Sequence, residues 1–191
     1  MSHFIRSLVA LAIVTGTVSA QGPTTFCFPN TQGVMNCPCN NPPLNPGQQG
    51  CDNFAFGTTG TGGATLMGFG NTSMANDTLT LSVFGENSGV FTLLLESTNA
   101  NNSGLVYGAA IRCITAPIHR VYGLSGFRQN TNGQASWGAG AGDPPMHADI
   151  GAFAGLTTFF QAWYRDPNAI NHCSAPATFN ASNAVVVFWN P

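Results

Sequence analysis

His147-Ala148-Asp149 brings an imidazole and a carboxylate within three residues, the kind of pairing from which a small metal site can grow. In an extended segment alternate residues share a face, so the two side chains would point the same way. His119, His172 and Asp143 could join them in space, completing a nitrogen and oxygen ligand set suited to zinc or copper. A small metal-dependent extracellular enzyme built on His119, His147 and Asp149 is therefore one function to carry forward. The plainer alternative makes His147 and His172 loop residues and His119 a polar strand position. A copper monooxygenase that coordinates through its N-terminal amine is excluded, because cleavage after Ala20 leaves Gln21 first rather than histidine.

Carboxylates offer a second chemistry. A glycosidase needs two of them about 5–10 Å apart around a cleft. Glu86 and Glu96 fall at the ends of neighbouring expected strands, a placement more in keeping with a solvated edge. The loops holding Asp143, Asp149 and Asp166 could supply oxygen ligands to calcium, a cofactor the pattern admits. They lack the dense, regular spacing of a dedicated calcium loop. Asp143-Pro144 and Asp166-Pro167 read first as turn-makers, and Arg165 beside Asp166 as a structural pair or turn anchor. No Gly-x-Ser-x-Gly elbow is present, and Ser125 has no context that would activate it. No catalytic residue is assigned.

Aromatic rings carry the remaining functional signal. Tyr107, Tyr122, Phe127, Trp137 and Tyr164 admit a carbohydrate-binding function in which exposed rings stack on sugars. Trp137, set in the Gly- and Asn-rich stretch from Asn130 to Gly142, is the ring expected to be most exposed. Trp163 and Trp189 are expected in the core. The ligand-binding candidates are therefore Trp137 with Tyr107, Tyr122 and Phe127.

Composition narrows the partners. After residue 20 the fixed positive charges are Arg112, Arg120, Arg128 and Arg165, with no lysine, against five aspartates and two glutamates. Nothing resembles the basic patch that neutralises phosphates, so nucleic acid and anionic membrane surfaces are excluded as partners. An extracellular glycan or a neighbouring surface protein remains. Residues 1–20 have the form of a secretory signal peptide. His3 and Arg6 precede an apolar centre from Leu8 to Val14, and Val18-Ser19-Ala20 makes the cleavage site. That centre is shorter than the roughly 20 residues a membrane span requires, and no later segment is long and apolar enough.

The six cysteines, Cys27, Cys37, Cys39, Cys51, Cys113 and Cys173, all follow that leader, and an even set in an exported chain reads as disulfides. Cys37-Pro38-Cys39 has too short a spacer for a zinc knuckle. Four of the cysteines lie in residues 21–56, a proline-rich, loop-rich cap that they can close locally. Three connectivities are open to them, with a Cys37–Cys39 bond the most strained. Cys113 and Cys173 are then expected to pair across roughly 60 residues, a tether worth on the order of 4 kcal/mol in the loop-entropy model.

Short strands must position these groups. Thr78–Phe84 is the clearest, with Leu79, Leu81 and Val83 on one face and Thr78, Thr80 and Ser82 on the other. Ala64–Phe69, Val90–Glu96, Leu105–Cys113, Ile118–Tyr122, Leu124–Gln129 and Gln134–Trp137 follow the same pattern, with Gly85–Gly89 expected to be a hairpin turn. Leu156–Arg165 and the apolar row Val185–Trp189 close the core, the latter as a central strand buried on both faces or as an interface. With strands every 8–15 residues (roughly) and no helical period of useful length, the expected fold is all-β. It is an antiparallel β-sandwich or jelly roll over residues 57–191 behind the N-terminal disulfide-rich cap.

Phe26-Cys27-Phe28, Cys37-Pro38-Cys39-Asn40, Arg112-Cys113, Phe160-Gln161-Ala162-Trp163-Tyr164-Arg165-Asp166-Pro167, Cys173 and Phe179-Asn180-Ala181-Ser182-Asn183 run through nearly the whole chain after the leader. With Cys51, Ala64-Thr65-Leu66, Asp77-Thr78-Leu79 and Gly140–Pro144, they resemble a family of secreted β-rich domains common in planctomycetes and some other large-genome bacteria. The resemblance implies a bacterial secreted or cell-surface location and a β-sandwich, and it implies no catalytic residues. The chain departs from the family in its last strand, where Ala184 and a purely apolar row replace a small-then-charged pattern.

The first expectation is thus a non-enzymatic secreted or surface module with a structural or adhesive role. A carbohydrate-binding module and the metal-dependent enzyme stand behind it.

Overall fold

The computed structural model describes residues 22–31, 33–173 and 177–191; the expected signal peptide lies outside them. Thirteen strands follow one another among the described residues. They are β1 (Thr24–Phe26), β2 (Thr65–Phe69), β3 (Thr72–Ser73), β4 (Asn76–Asp77), β5 (Thr80–Phe84), β6 (Phe91–Ser97), β7 (Ala100–Tyr107) and β8 (Ala110–Ile114). Then come β9 (His119–Arg120), β10 (Arg128–Gln129), β11 (Ala135–Gly138), the one-turn helix α1 (Met146–Ile150), β12 (Thr157–Arg165) and β13 (Phe179–Phe188). All strand pairings between these elements are antiparallel. No described helix is long and apolar enough to cross a membrane.

The largest sheet runs β1-β13-β12-β6-β10, with β9 also on β6; a second runs β11-β5-β2. The alternation read in Thr78–Phe84 decides how they meet. Leu79, Leu81 and Val83 are buried, and they pack with Leu66 and Trp137 against Leu94, Phe160, Tyr164, Val185, Val187 and Trp189 of the large sheet. The two sheets therefore share one core. Residues Gly85–Gly89 join β5 to β6 across that core from one sheet to the other, rather than turning a hairpin within one sheet. The cause is burial: β5 and β6 each carry an apolar face, and both faces are satisfied when the strands oppose each other.

β13 is the central strand that its apolar row suggested, flanked by β1 and β12. Val185, Val187 and Trp189 enter the shared core, whereas Val186 is half-buried and Phe188 exposed on the other side. That other side is partly covered by the β7–β8 hairpin. The single strand expected over Leu105–Cys113 folds back on itself there, with Tyr107 opposite Ala110. Gly108 makes the fold-back possible, having a φ of 62° and a Cβ position 2.4 Å from the Phe179 ring, where no side chain fits. Beneath the hairpin, Ile114 packs with Leu93 and Leu95, while Ile111 and Cys113 pack with Ala184.

Three disulfides close the structure: Cys27–Cys113, Cys37–Cys51 and Cys39–Cys173. The expected Cys113–Cys173 bond is not formed. One bond stays inside the N-terminal segment, and two leave it. Pro38 and Cys39 lie in a turn, with Asn40 just after it at a φ of 55°, and Cys37 and Cys39 go to different partners. β1 itself is a strand of the large sheet, and its bonding partner β13 lies at the far end of the chain. A triply cross-linked chain belongs in an oxidising compartment, outside a cell or in a periplasm.

Candidate functional site

Strand alternation gives β6 and β12 two different faces. Leu94 of β6 and Phe160, Ala162 and Tyr164 of β12 point into the shared core. Leu93 and Leu95, with Phe159 and Trp163, take the opposite side. β13 begins beside them, with Phe179 in register with Arg165. The β7–β8 hairpin adds Tyr107, β9 adds Arg120 opposite Leu95, and Phe127 arrives just ahead of β10. Leu93, Leu95, Tyr107, Arg120, Phe127, Trp163 and Phe179 together line an open groove of about 250 Å³.

Its rings form a continuous run. Tyr107 and Phe179 lie 4.9 Å apart, and Phe179 and Trp163 5.6 Å, both tilted rather than face to face. Trp163 is only half-buried, because no strand of the second sheet covers this side. Each of three arginines lies near one ring of the groove. The guanidinium of Arg112 sits 4.6 Å from the centre of Tyr107, that of Arg120 5.8 Å from Phe127, and that of Arg165 5.7 Å from Trp163. Such contacts use the flat face of the guanidinium and leave its N–H edge available. Arg165 spends one donor on Thr178 Oγ1 at 3.0 Å. Among the described residues none of the three pairs with a carboxylate, and Nε of Arg112 is buried with no acceptor. The fourth arginine after residue 20, Arg128, is instead clamped by both oxygens of Asp143 at 2.7 Å.

Two of the four ring residues singled out in the sequence, Tyr107 and Phe127, belong to this groove; the other two do not. Trp137 is fully buried opposite Leu81, and its Nε1 donates to the Gly126 carbonyl at 2.7 Å. Tyr122 is buried too, donating its hydroxyl to the Pro144 carbonyl at 2.8 Å. Tyr164 lies wholly within the core. Trp163, Phe179 and Arg120 are the residues that sequence reasoning missed. For Trp163 the available signal was alternation with Ala162 and Tyr164, which a uniformly aromatic stretch disguises.

The metal-ligand candidates disperse. His147 and Asp149 sit in α1 rather than a strand, and two residues along a helix point to different sides. Nδ1 of His147 meets Asp77 Oδ2 at 2.9 Å, while Asp149 accepts the Tyr122 amide at 2.7 Å. His119 is exposed on β9, against β6, and the ring of His172 stacks on Phe54 at 4.4 Å. Among the described residues no three His, Cys, Asp or Glu side chains gather closely enough to hold an ion. The loop aspartates proposed for calcium are engaged by protein donors: Asp143 by Arg128, Asp149 by Tyr122, and Asp166 by the Phe54 amide and by Asn87 and Asn180.

The two glutamates are not solvated edges. Glu86 is buried, accepting from Thr92 Oγ1 and Asn130 Nδ2, each at 2.7 Å. Burial away from any cation pushes its carboxyl up to about 7, against the smaller opposing pull of those hydrogen bonds. Glu96 is also buried, and loss of solvent pushes it up to about 7. Asp166, fully buried, is raised for the same reason. Comparison with protein-family models, curated proteins and solved structures returns no match for this chain.

Proposed function

We propose that the chain is a secreted or cell-surface adhesive module that binds a glycan in the groove formed by Tyr107, Phe127, Trp163 and Phe179. The observation that carries this is the unbroken Tyr107–Phe179–Trp163 run on a face of the large sheet that the β7–β8 hairpin covers only in part. Pyranose rings present flat C–H faces, and rigid, half-exposed aromatics at low entropy cost are the side chains suited to stack on them. Three further features support the wider picture. The disulfides fit export, the two sheets around one core fit a β-sandwich, and the sequence resembles secreted domains of planctomycetes.

Retention on a panel of immobilised polysaccharides, followed by titration with matching oligosaccharides, tests the proposal. Trp163→Ala removes the ring at one end of that run without opening the shared core. It is expected to weaken binding about tenfold or more, as truncating an anchoring aromatic does, with the near-ultraviolet circular dichroism of the buried tryptophans retained. Unchanged affinity in a folded Trp163→Ala protein would remove the groove from consideration.

A further inference from the structure

The glycan-binding groove carries a charge pattern of its own. The protein after residue 20 holds four arginines and seven acids, yet Arg112, Arg120 and Arg165 gather around this groove. Each lies near one of its rings, and none is neutralised by a carboxylate among the described residues. Glu96, the acid closest along β6, points with Leu94 to the opposite side of the sheet from Leu93 and Leu95. An acidic protein has thus set its unpaired cations in one place. From this, and resting on the glycan reading above, we propose that the ligand is an acidic glycan built of uronic acid units, whose ring carboxylates are held by Arg120 and its neighbours.

The geometry favours a carboxylate attached directly to the sugar ring. A pyranose stacked on an aromatic ring lies parallel to it, and the carboxylate of a uronic acid projects from the edge of that pyranose. Each guanidinium lies over one of these rings, 4.6–5.8 Å from its centre, so cation and ring are presented together to a ligand entering the groove. A planar carboxylate accepts two parallel N–H bonds from a guanidinium edge. Arg120 is the direct contact, because it lines the groove. Arg165 and Arg112 border it through Trp163 and Tyr107.

Isothermal titration with tetragalacturonate, its fully methyl-esterified form and a neutral tetrasaccharide separates the charge from the stack. We expect the acid to bind about tenfold or more tightly than the ester, the range of one or two charge-assisted hydrogen bonds. That advantage should shrink as salt rises. Arg120→Gln should remove most of the preference for the acid over the ester; Arg165→Gln, at an exposed position, should weaken that preference in the same direction. Equal binding of acid and ester would overturn the uronate assignment and leave the glycan groove standing. Preference for dextran sulfate over galacturonate would likewise overturn it. Binding to no glycan of any charge would remove the groove reading and this inference with it.

Discussion

Glu86 has no cation to answer its charge, only two polar neighbours, Thr92 Oγ1 and Asn130 Nδ2, that donate to its carboxyl. Its carboxyl is held up at about 7 from an ordinary 4.5, so between those values the folded protein keeps a proton that the unfolded chain has released. Stability therefore falls as pH rises through that window and is flat above it. The displacement is worth about 3 kcal/mol at neutral pH, and Glu96 and Asp166 act in the same sense. Thermal unfolding followed at pH 5 and pH 8 should show the higher midpoint at pH 5, by several degrees or more. Glu86→Gln copies the protonated acid: its amide can donate to Thr92 Oγ1, which passes its own proton to the Trp163 carbonyl, while its oxygen still accepts from Asn130. That variant should raise the midpoint at pH 8 and narrow the gap between the two pH values. A melt insensitive to pH in the unaltered protein would refute this account of Glu86. The burial itself was hidden in the sequence, where a glutamate beside Gly85 and Asn87 looks like any turn residue. Only the partners supplied by Thr92 and Asn130 make it tolerable in the interior.

At the scale of elements, legibility followed the range of the interactions. The alternation of Leu79, Leu81 and Val83 announced a half-buried strand, and all three side chains are buried, because a period of two is a local property of extended chain. Trp137 misled for the opposite reason. Its Gly- and Asn-rich neighbours imitate a surface loop, whereas the pairing of β11 with β5 comes from residues some fifty positions earlier. The β7–β8 hairpin was likewise read as one strand, since Tyr107-Gly108-Ala109-Ala110 lacks an Asn-Gly or Asp-Gly signal. Gly108 is the one residue in that tetrapeptide the turn cannot exchange. Gly108→Ala would place a methyl group against Phe179 and force a left-handed backbone on a residue with a Cβ, costing about 1–2 kcal/mol for the backbone alone. Chemical denaturation should register that loss, and weaker sugar binding should accompany it as Phe179 is displaced. An unaltered denaturation midpoint would mean that the hairpin tip adjusts freely and does not fix the groove.

Across the whole molecule, the three cross-links divide the work unequally. Cys39–Cys173 joins residues 134 apart, Cys27–Cys113 86 apart and Cys37–Cys51 only 14 apart. In the loop-entropy model the longest is worth about 5 kcal/mol and the shortest about 3 kcal/mol. Replacing both Cys39 and Cys173 with serine should therefore lower the denaturation midpoint more than replacing Cys37 and Cys51. The reverse order would show that native-state strain, rather than chain entropy, governs the bonds. The cysteine count made oxidation legible; the pairing depends on which distant strands meet, and no spacing in the chain encodes that.

That pairing has a consequence for biogenesis. Numbered along the chain, the six thiols join first to fifth, second to fourth and third to sixth, so only one bond can form before most of the polypeptide has emerged. Four early thiols crowd the first part of the chain while two of their mates are still to come. Nearest-neighbour oxidation would trap wrong partners, and a catalyst that reshuffles them becomes a requirement for yield.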